Sequence, residues 1–177
     1  KTNAGYLIDG NTISMQLDAA NADAGYPHDQ VGYVFLMAGL TDSYESLANM
    51  QQTVADTIAK AKRLFPVARI VVGVGPGCIP DATDAEAIAR QGHVLTAITL
   101  AGTSADALVI HNMRAICGSD HDMHATGINP NDEGMRLLAQ AVVTSVDADK
   151  GEPLDTPVTD LTRVYSSPGA DWASRQV

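Results

Sequence analysis

Basic residues, cysteines, aromatics and long apolar runs are all scarce in this sequence. Eleven Lys and Arg stand against 21 Asp and Glu, for a net charge of −10. No basic stripe is present to neutralise phosphates at close quarters, so nucleic acid is not an expected partner. The two cysteines, Cys78 and Cys117, are too few for a disulfide framework and lack the spacing of a zinc site. No stretch approaches the roughly 18 apolar residues of a membrane span. The opening KTNAGYLIDG has neither the basic nor the apolar region of a signal peptide. A soluble domain is expected and, because the first residue is Lys1, a processed product or a part of something longer. Gly73-Val74-Gly75-Pro76-Gly77 lacks the lysine and the spacing of a phosphate loop, and Pro76 removes a donor. It reads as a tight turn after a strand. No cofactor and no metal are expected.

What is present suits one globular α/β domain, since 45% of the 177 residues are hydrophobic and 18% charged. The run Val31 to Ala38, VGYVFLMA, reads as a strand buried on both faces of a parallel sheet. A helix follows with Leu47, Met50, Val54, Ile58, Ala61 and Leu64 on one side, Asp42 and Glu45 being placed as a capping box. A strand from Ala68 to Val74 precedes a second helix from near Thr83, where Glu86 again forms a capping box and Ile88, Leu95 and Ile98 face inward. A third strand, Ala107 to His111, leads into a polar loop. The last helix is expected to open with Asn129 as N-cap and Pro130 at its first position, burying Leu137, Leu138, Ala141, Val142 and Val146. Strands alternating with helices imply a central parallel sheet in a three-layer αβα sandwich, with ligand sites beyond the strands' carboxyl ends. The domain is expected to span residues 1–147. Residues 148–177, rich in Pro, Gly, Ser and Asp, form an extended tail with one candidate strand at Val158 to Tyr165. Trp172 in that tail either anchors a partner or covers the domain edge.

Three ordered motifs resemble those of the SGNH (GDSL-type) hydrolases. INPNDEGMRLLAQAV resembles that family's last block, where Asp-x-x-His-Pro opens the final helix. FLMAGLTDS resembles its third block, Gly-x-Asn-Asp after a buried strand, written here Gly39-Leu40-Thr41-Asp42. GNTISMQLDAA resembles its second block, which places Gly10 as an oxyanion-hole donor ahead of an amphipathic helix. The resemblance spans roughly Gly5 to Val146. It implies a flavodoxin-like sheet of strand order 2-1-3-4-5 and an esterase chemistry of Ser nucleophile, His base and orienting Asp, with Gly and Asn donors at the oxyanion.

That chemistry is not spelled out in these residues. The His position of the last block is Asn129, the Asp position is Thr126, and the third-block Asn is Thr41. An amide has no basic nitrogen to accept a serine's proton. The first block, Gly-Asp-Ser on the family's first strand, does not precede Gly10. An alternative alignment takes Gly10-Asn11-Thr12-Ile13-Ser14 as a decayed form of that block, with Thr12 at the nucleophile position. Neither alignment leaves a Ser–His–Asp set. An absent inner strand would strip hydrogen bonds from two neighbours. A preceding segment, another chain or the tail strand is expected to fill the slot, which favours a protein partner or a homo-oligomer.

The expected reading is therefore a non-catalytic module of a larger extracellular or virion-type assembly, with Asp42, Ser43, His121 and His124 as binding-rim candidates for carbohydrate. The alternative is a carbohydrate or lipid esterase whose nucleophile lies outside this chain. Ser119-Asp120-His121-Asp122-Met123-His124 matches no metal-ligand spacing, so a solvated loop is expected. A second possibility is His121 or His124 as a stand-in base, oriented by Asp120 or Asp122, with Ser43 or Ser14 attacking. Cys78 and Cys117 each follow one of two neighbouring strands. A disulfide between their loops and a pair of inert thiols both fit that placement.

Overall fold

The computed structural model describes residues 5–6, 12–39, 42, 46–74, 85–110 and 131–151. Two compact units are present, Lys1–Gly75 with Thr83–His111, and Pro76–Ala82 with Asn112–Val177. In the first, α1 (Ile13–Ala22) and a 3-10 turn (His28–Gln30) precede β1 (Tyr33–Ala38), α2 (Leu47–Leu64), β2 (Arg69–Val74), α3 (Ala85–Ser104) and β3 (Leu108–Ile110). The second contributes α4 (Asp132–Lys150), which continues past the domain boundary expected at Asp147.

The expected α/β fold with a parallel sheet is the one observed. The strands pair in parallel in the order β1-β2-β3, as three consecutive neighbours of a 2-1-3-4-5 sheet would. In register, Val34 lies beside Ile70, Leu36 beside Val72, and Val72 beside Val109. Strand side chains alternate between faces, so Leu36, Ala38, Ile70, Val72 and Val74 share one. There they join a single core with Met50, Val54, Ile58 and Ala61 of α2 and Val94, Ala97, Ile98 and Ala101 of α3. The α2 residues are those expected from its periodicity. In α3 the buried stripe is centred on Val94, Ala97, Ile98 and Ala101, and Leu95 is only half-buried.

On the opposite face Val71 and Ile110 are also buried, so β2 is covered on both sides, as a central parallel strand should be. Phe35, in register with Val71, is 46% exposed, and its ring stacks on Tyr33 at 6.0 Å between centroids. Among the described residues, no strand pairs with the edge of β1 away from β2. The candidate strand at Val158 to Tyr165 lies outside the described residues.

A lysine fastens α1 to α2. The Lys60 ammonium donates to the Ser14 carbonyl and hydroxyl, each at 2.9 Å, and pairs with Asp18 at 2.7 Å. Three acceptors match its three N–H donors.

Two helix starts differ from expectation. Ser46, not Asp42, caps α2: its backbone is extended and its hydroxyl accepts from the Asn49 N–H at 3.1 Å. Asn131, not Asn129, caps α4, accepting from the Gly134 N–H at 2.9 Å, so Pro130 precedes the cap instead of opening the helix. In each case several capping-type residues compete within one turn. The winner is the one whose side chain reaches the third helical N–H.

Where β1 ends, Gly39 adopts φ +105, a conformation open to glycine and strained for other residues. A Cβ there would sit 2.7 Å from Val94 Cγ1 and 3.2 Å from Ile98 Cδ1. Gly39→Ala should therefore lower unfolding stability by roughly 2–4 kcal/mol, combining backbone strain with overpacking. Urea denaturation followed by far-UV circular dichroism is the measurement, and a loss under about 0.5 kcal/mol would contradict this account of the turn.

Candidate functional site at the strand ends

In an open parallel sheet the chain leaves every strand at the same rim, where ligands bind. At this rim Gly39 and Asp42 follow β1, and Tyr6, ahead of α1, meets Asp42. Asp42 is 1% exposed, although it was expected on an open rim. Its carboxylate accepts the Tyr6 backbone N–H at 2.8 Å, a charge-assisted bond made away from solvent. Tyr6 itself is 3% exposed, and its hydroxyl donates to the Leu36 carbonyl of β1 at 3.3 Å. One residue is thus tied to the rim twice, through its main chain after the strand and through its side chain within it.

The segment closes on itself at the same place. The Gly5 carbonyl accepts from the Ile13 N–H at 2.9 Å, and Gly5 and Thr12 form a parallel bridge. Gly5 and Thr12 thus meet immediately before α1, whose N-cap is Thr12, with its hydroxyl accepting from the Met15 N–H at 3.2 Å. Gly10 belongs to this interval. Burial first, and the Asp42 charge second, raise the Tyr6 phenol well above its ordinary value. Both favour the neutral hydroxyl that donates to Leu36.

Of the site residues weighed from sequence, Thr12, Ser14, Gly39 and Asp42 fall among the described residues, Thr12 capping α1 and Ser14 accepting from Lys60. Gly10, Thr41, Ser43, Thr126 and Asn129 lie outside them, as do His121 and His124 with their acidic neighbours, and Cys78 with Cys117. Among the described residues, no three His, Cys, Asp or Glu side chains converge as a metal site would require, and no helix is long and apolar enough to cross a membrane. Tyr6 was not singled out from sequence. Its one signal is an aromatic directly after Gly5 and ahead of the Gly10 motif.

A groove of about 420 Å³ runs along α2, lined by Ser14, Thr53, Asp56, Thr57 and Lys60 among others. Most of its polar groups already serve the fold. Thr53 and Thr57 donate to carbonyls one turn back in α2, Asp56 accepts from Gln52, and Lys60 holds α1.

Solved structures of similar fold are hydrolases. A lipase/acylhydrolase from Enterococcus faecalis superposes with a TM-score of 0.58 at 16% sequence identity, over 79% of this chain and 72% of that one. LAE5, an alpha/beta hydrolase enzyme from the metagenome of Lake Arreo, Spain, gives 0.56 at 17% identity, over 77% and 68%. At such identities the likeness is one of fold. No family model matches the sequence, and no curated protein matches it.

The Tyr6 assignment predicts an alkaline signature. Below its ordinary pKa, folded and unfolded chains both keep the phenol proton. Above it the unfolded chain releases the proton and the folded chain retains it, so stability falls as pH rises. Tyr6→Phe should be about 1 kcal/mol less stable than the parent at neutral pH. That gap should narrow above pH ~10, by up to about 1.4 kcal/mol per pH unit. Paired urea titrations between pH 8 and 11.5 test it, in steps of about half a unit. A gap independent of pH would mean that Tyr6 ionises as easily folded as unfolded.

Proposed function

We propose that this chain is a catalytically degenerate member of the SGNH (GDSL-type) hydrolase superfamily, working as a structural or recognition module of a larger extracellular or virion-type assembly. Its strand-end rim contacts carbohydrate. The observation that carries this reading is a contrast between the described scaffold and the sequence at the family's motif positions. The scaffold is held tightly, with Gly39 packed on α3 and buried Asp42 bound to Tyr6, while the positions that should supply the base, its orienting acid and the side-chain oxyanion donor read Asn129, Thr126 and Thr41. Binding needs the shape of the rim, and hydrolysis needs a proton acceptor that an amide does not offer. The similarity in fold to a lipase/acylhydrolase supports the superfamily.

A second reading is favoured by β1. Its outer edge has no strand beside it among the described residues, and Phe35 is exposed next to that edge. An esterase acting on carbohydrate or lipid esters, with its nucleophile on a strand supplied from outside this chain, would fill both. It would need a base other than residue 129.

The two readings separate in one assay on the full-length source protein with p-nitrophenyl acetate and a fluorophosphonate probe. The first predicts neither turnover above buffer nor covalent labelling. Labelling of a serine, with turnover lost when that serine is mutated, would sink it in favour of the second. Light scattering after size exclusion tests the assembly role, which a stable monomer made of these residues alone would contradict.

A further inference from the structure

We infer that β1 is an inner strand whose outer edge pairs with β1 of a second copy of this chain, antiparallel about a two-fold axis at Phe35. This rests on the assembly reading above and deepens it by naming the partner and the surface. The ladder fixes which way the backbone of β1 points. The Arg69 N–H donates to the Gly32 carbonyl at 2.9 Å and Arg69 lies beside Tyr33, so Gly32, Val34, Leu36 and Ala38 address β2. Backbone groups alternate in direction along a strand, which turns those of Tyr33, Phe35 and Met37 to the other edge. Among the described residues, nothing accepts from the Phe35 or Met37 N–H.

Edge strands are ordinarily blunted by charge, proline, a bulge or shortness. With three residues, β3 is short. By contrast β1 has six, Tyr-Val-Phe-Leu-Met-Ala, with no charge or proline among them and an unbroken register with β2. The Phe35 side chain is a second sign at the same place. It is 46% exposed and stacks on Tyr33, on the face opposite Leu36 and Ala38. A second copy covers both edge and ring. With the axis at Phe35, the two Phe35 residues exchange N–H and C=O, and Met37 of each copy lies opposite Tyr33 of the other. All these side chains stand on the same open face, where cross-strand aromatic pairs and sulfur–aromatic contacts are favourable. Because β1 carries no charge, the pairing sets no like charges opposite one another, despite a net charge of −10 on the chain. A strand from a different polypeptide would fill the edge without bringing one Phe35 to another, and the experiment separates the two.

On the full chain, light scattering after size exclusion should give the mass of a dimer. Phe35→Lys places two ammonium groups opposite each other and should give the mass of a monomer that keeps the parent's far-UV circular dichroism. Register is read by oxidative cross-linking in a chain whose own Cys78 and Cys117 are replaced by Ser. Phe35→Cys should link to its copy, since Cα atoms of a hydrogen-bonded antiparallel pair lie about 5.5 Å apart, within the span of a disulfide. Tyr33→Cys and Met37→Cys should each stay unlinked alone, their copies being roughly 14 Å apart along the strands, and should link when mixed. A monomeric parent would overturn the inference, and so would failure of the Phe35→Cys link or self-linking of Tyr33→Cys. A dimer that survives Phe35→Lys would overturn it too, while leaving the assembly reading standing on another surface. If Phe35→Lys does not fold, the cysteine pattern decides.

Discussion

A parallel sheet cannot be closed by tight hairpins. Each strand has to be followed by a long crossover that returns the chain to the starting edge. In this protein that constraint decides where everything else lies. It requires α2 between β1 and β2, and α3 between β2 and β3, and it buries Val72 and Val74 of β2 beneath them. It also collects every strand exit at one rim. The apolar face shared by sheet and helices provides the main stabilisation, since each fully buried Val, Leu or Ile contributes about 1.5–3 kcal/mol before conformational entropy is counted. The rim inherits its rigidity from that core, for Gly39 leaves β1 pressed against the same Val94 and Ile98 that fill it.

Polar groups enter this frame sparingly and in two styles. Lys60 works near the surface, gathering Ser14 and Asp18 so that α1 stays beside α2. An ion pair whose acid stands open to solvent, as Asp18 does, contributes little energy and mainly fixes geometry. Asp42 works in the interior, where a carboxylate is tolerated only with donors aimed at it. The Tyr6 phenol beside it is raised first by its own burial and second by the Asp42 charge. The first arrangement tolerates substitution better than the second. The rim is therefore more sensitive to chemistry at position 42 than the helix pair is at position 60.

Much of the fold was legible in sequence because it depends on patterns that local physics enforces. The run from Val31 to Ala38 is continuous and apolar, and it became β1. The spacing of Met50, Val54, Ile58 and Ala61 could belong only to a helix with one buried side. The caps were less legible. Asp42, Ser43 and Ser46 all suit an N-cap, as do Asn129 and Asn131, and propensity does not rank them. Tertiary structure does so for α2: the Tyr6 N–H engages Asp42, and Ser46 takes the cap. Tyr6 could not be found by periodicity, since its partner is 36 residues away and no short-range rule connects them. Exposure of Phe35 was likewise hidden, because an apolar strand residue looks the same whether its face is covered or open.

The displaced cap on α4 bears on chemistry. Had Asn129 capped the helix, a capping role alone would account for an amide at the position where the resembled family carries its base. With Asn131 in that role, residue 129 lies ahead of the cap, and the helix start does not require Asn there. An Asn side chain offers two N–H donors and one acceptor oxygen, all neutral and none able to take a proton near neutrality. Such a group suits holding hydroxyls or amides in place and is unsuited to activating a serine.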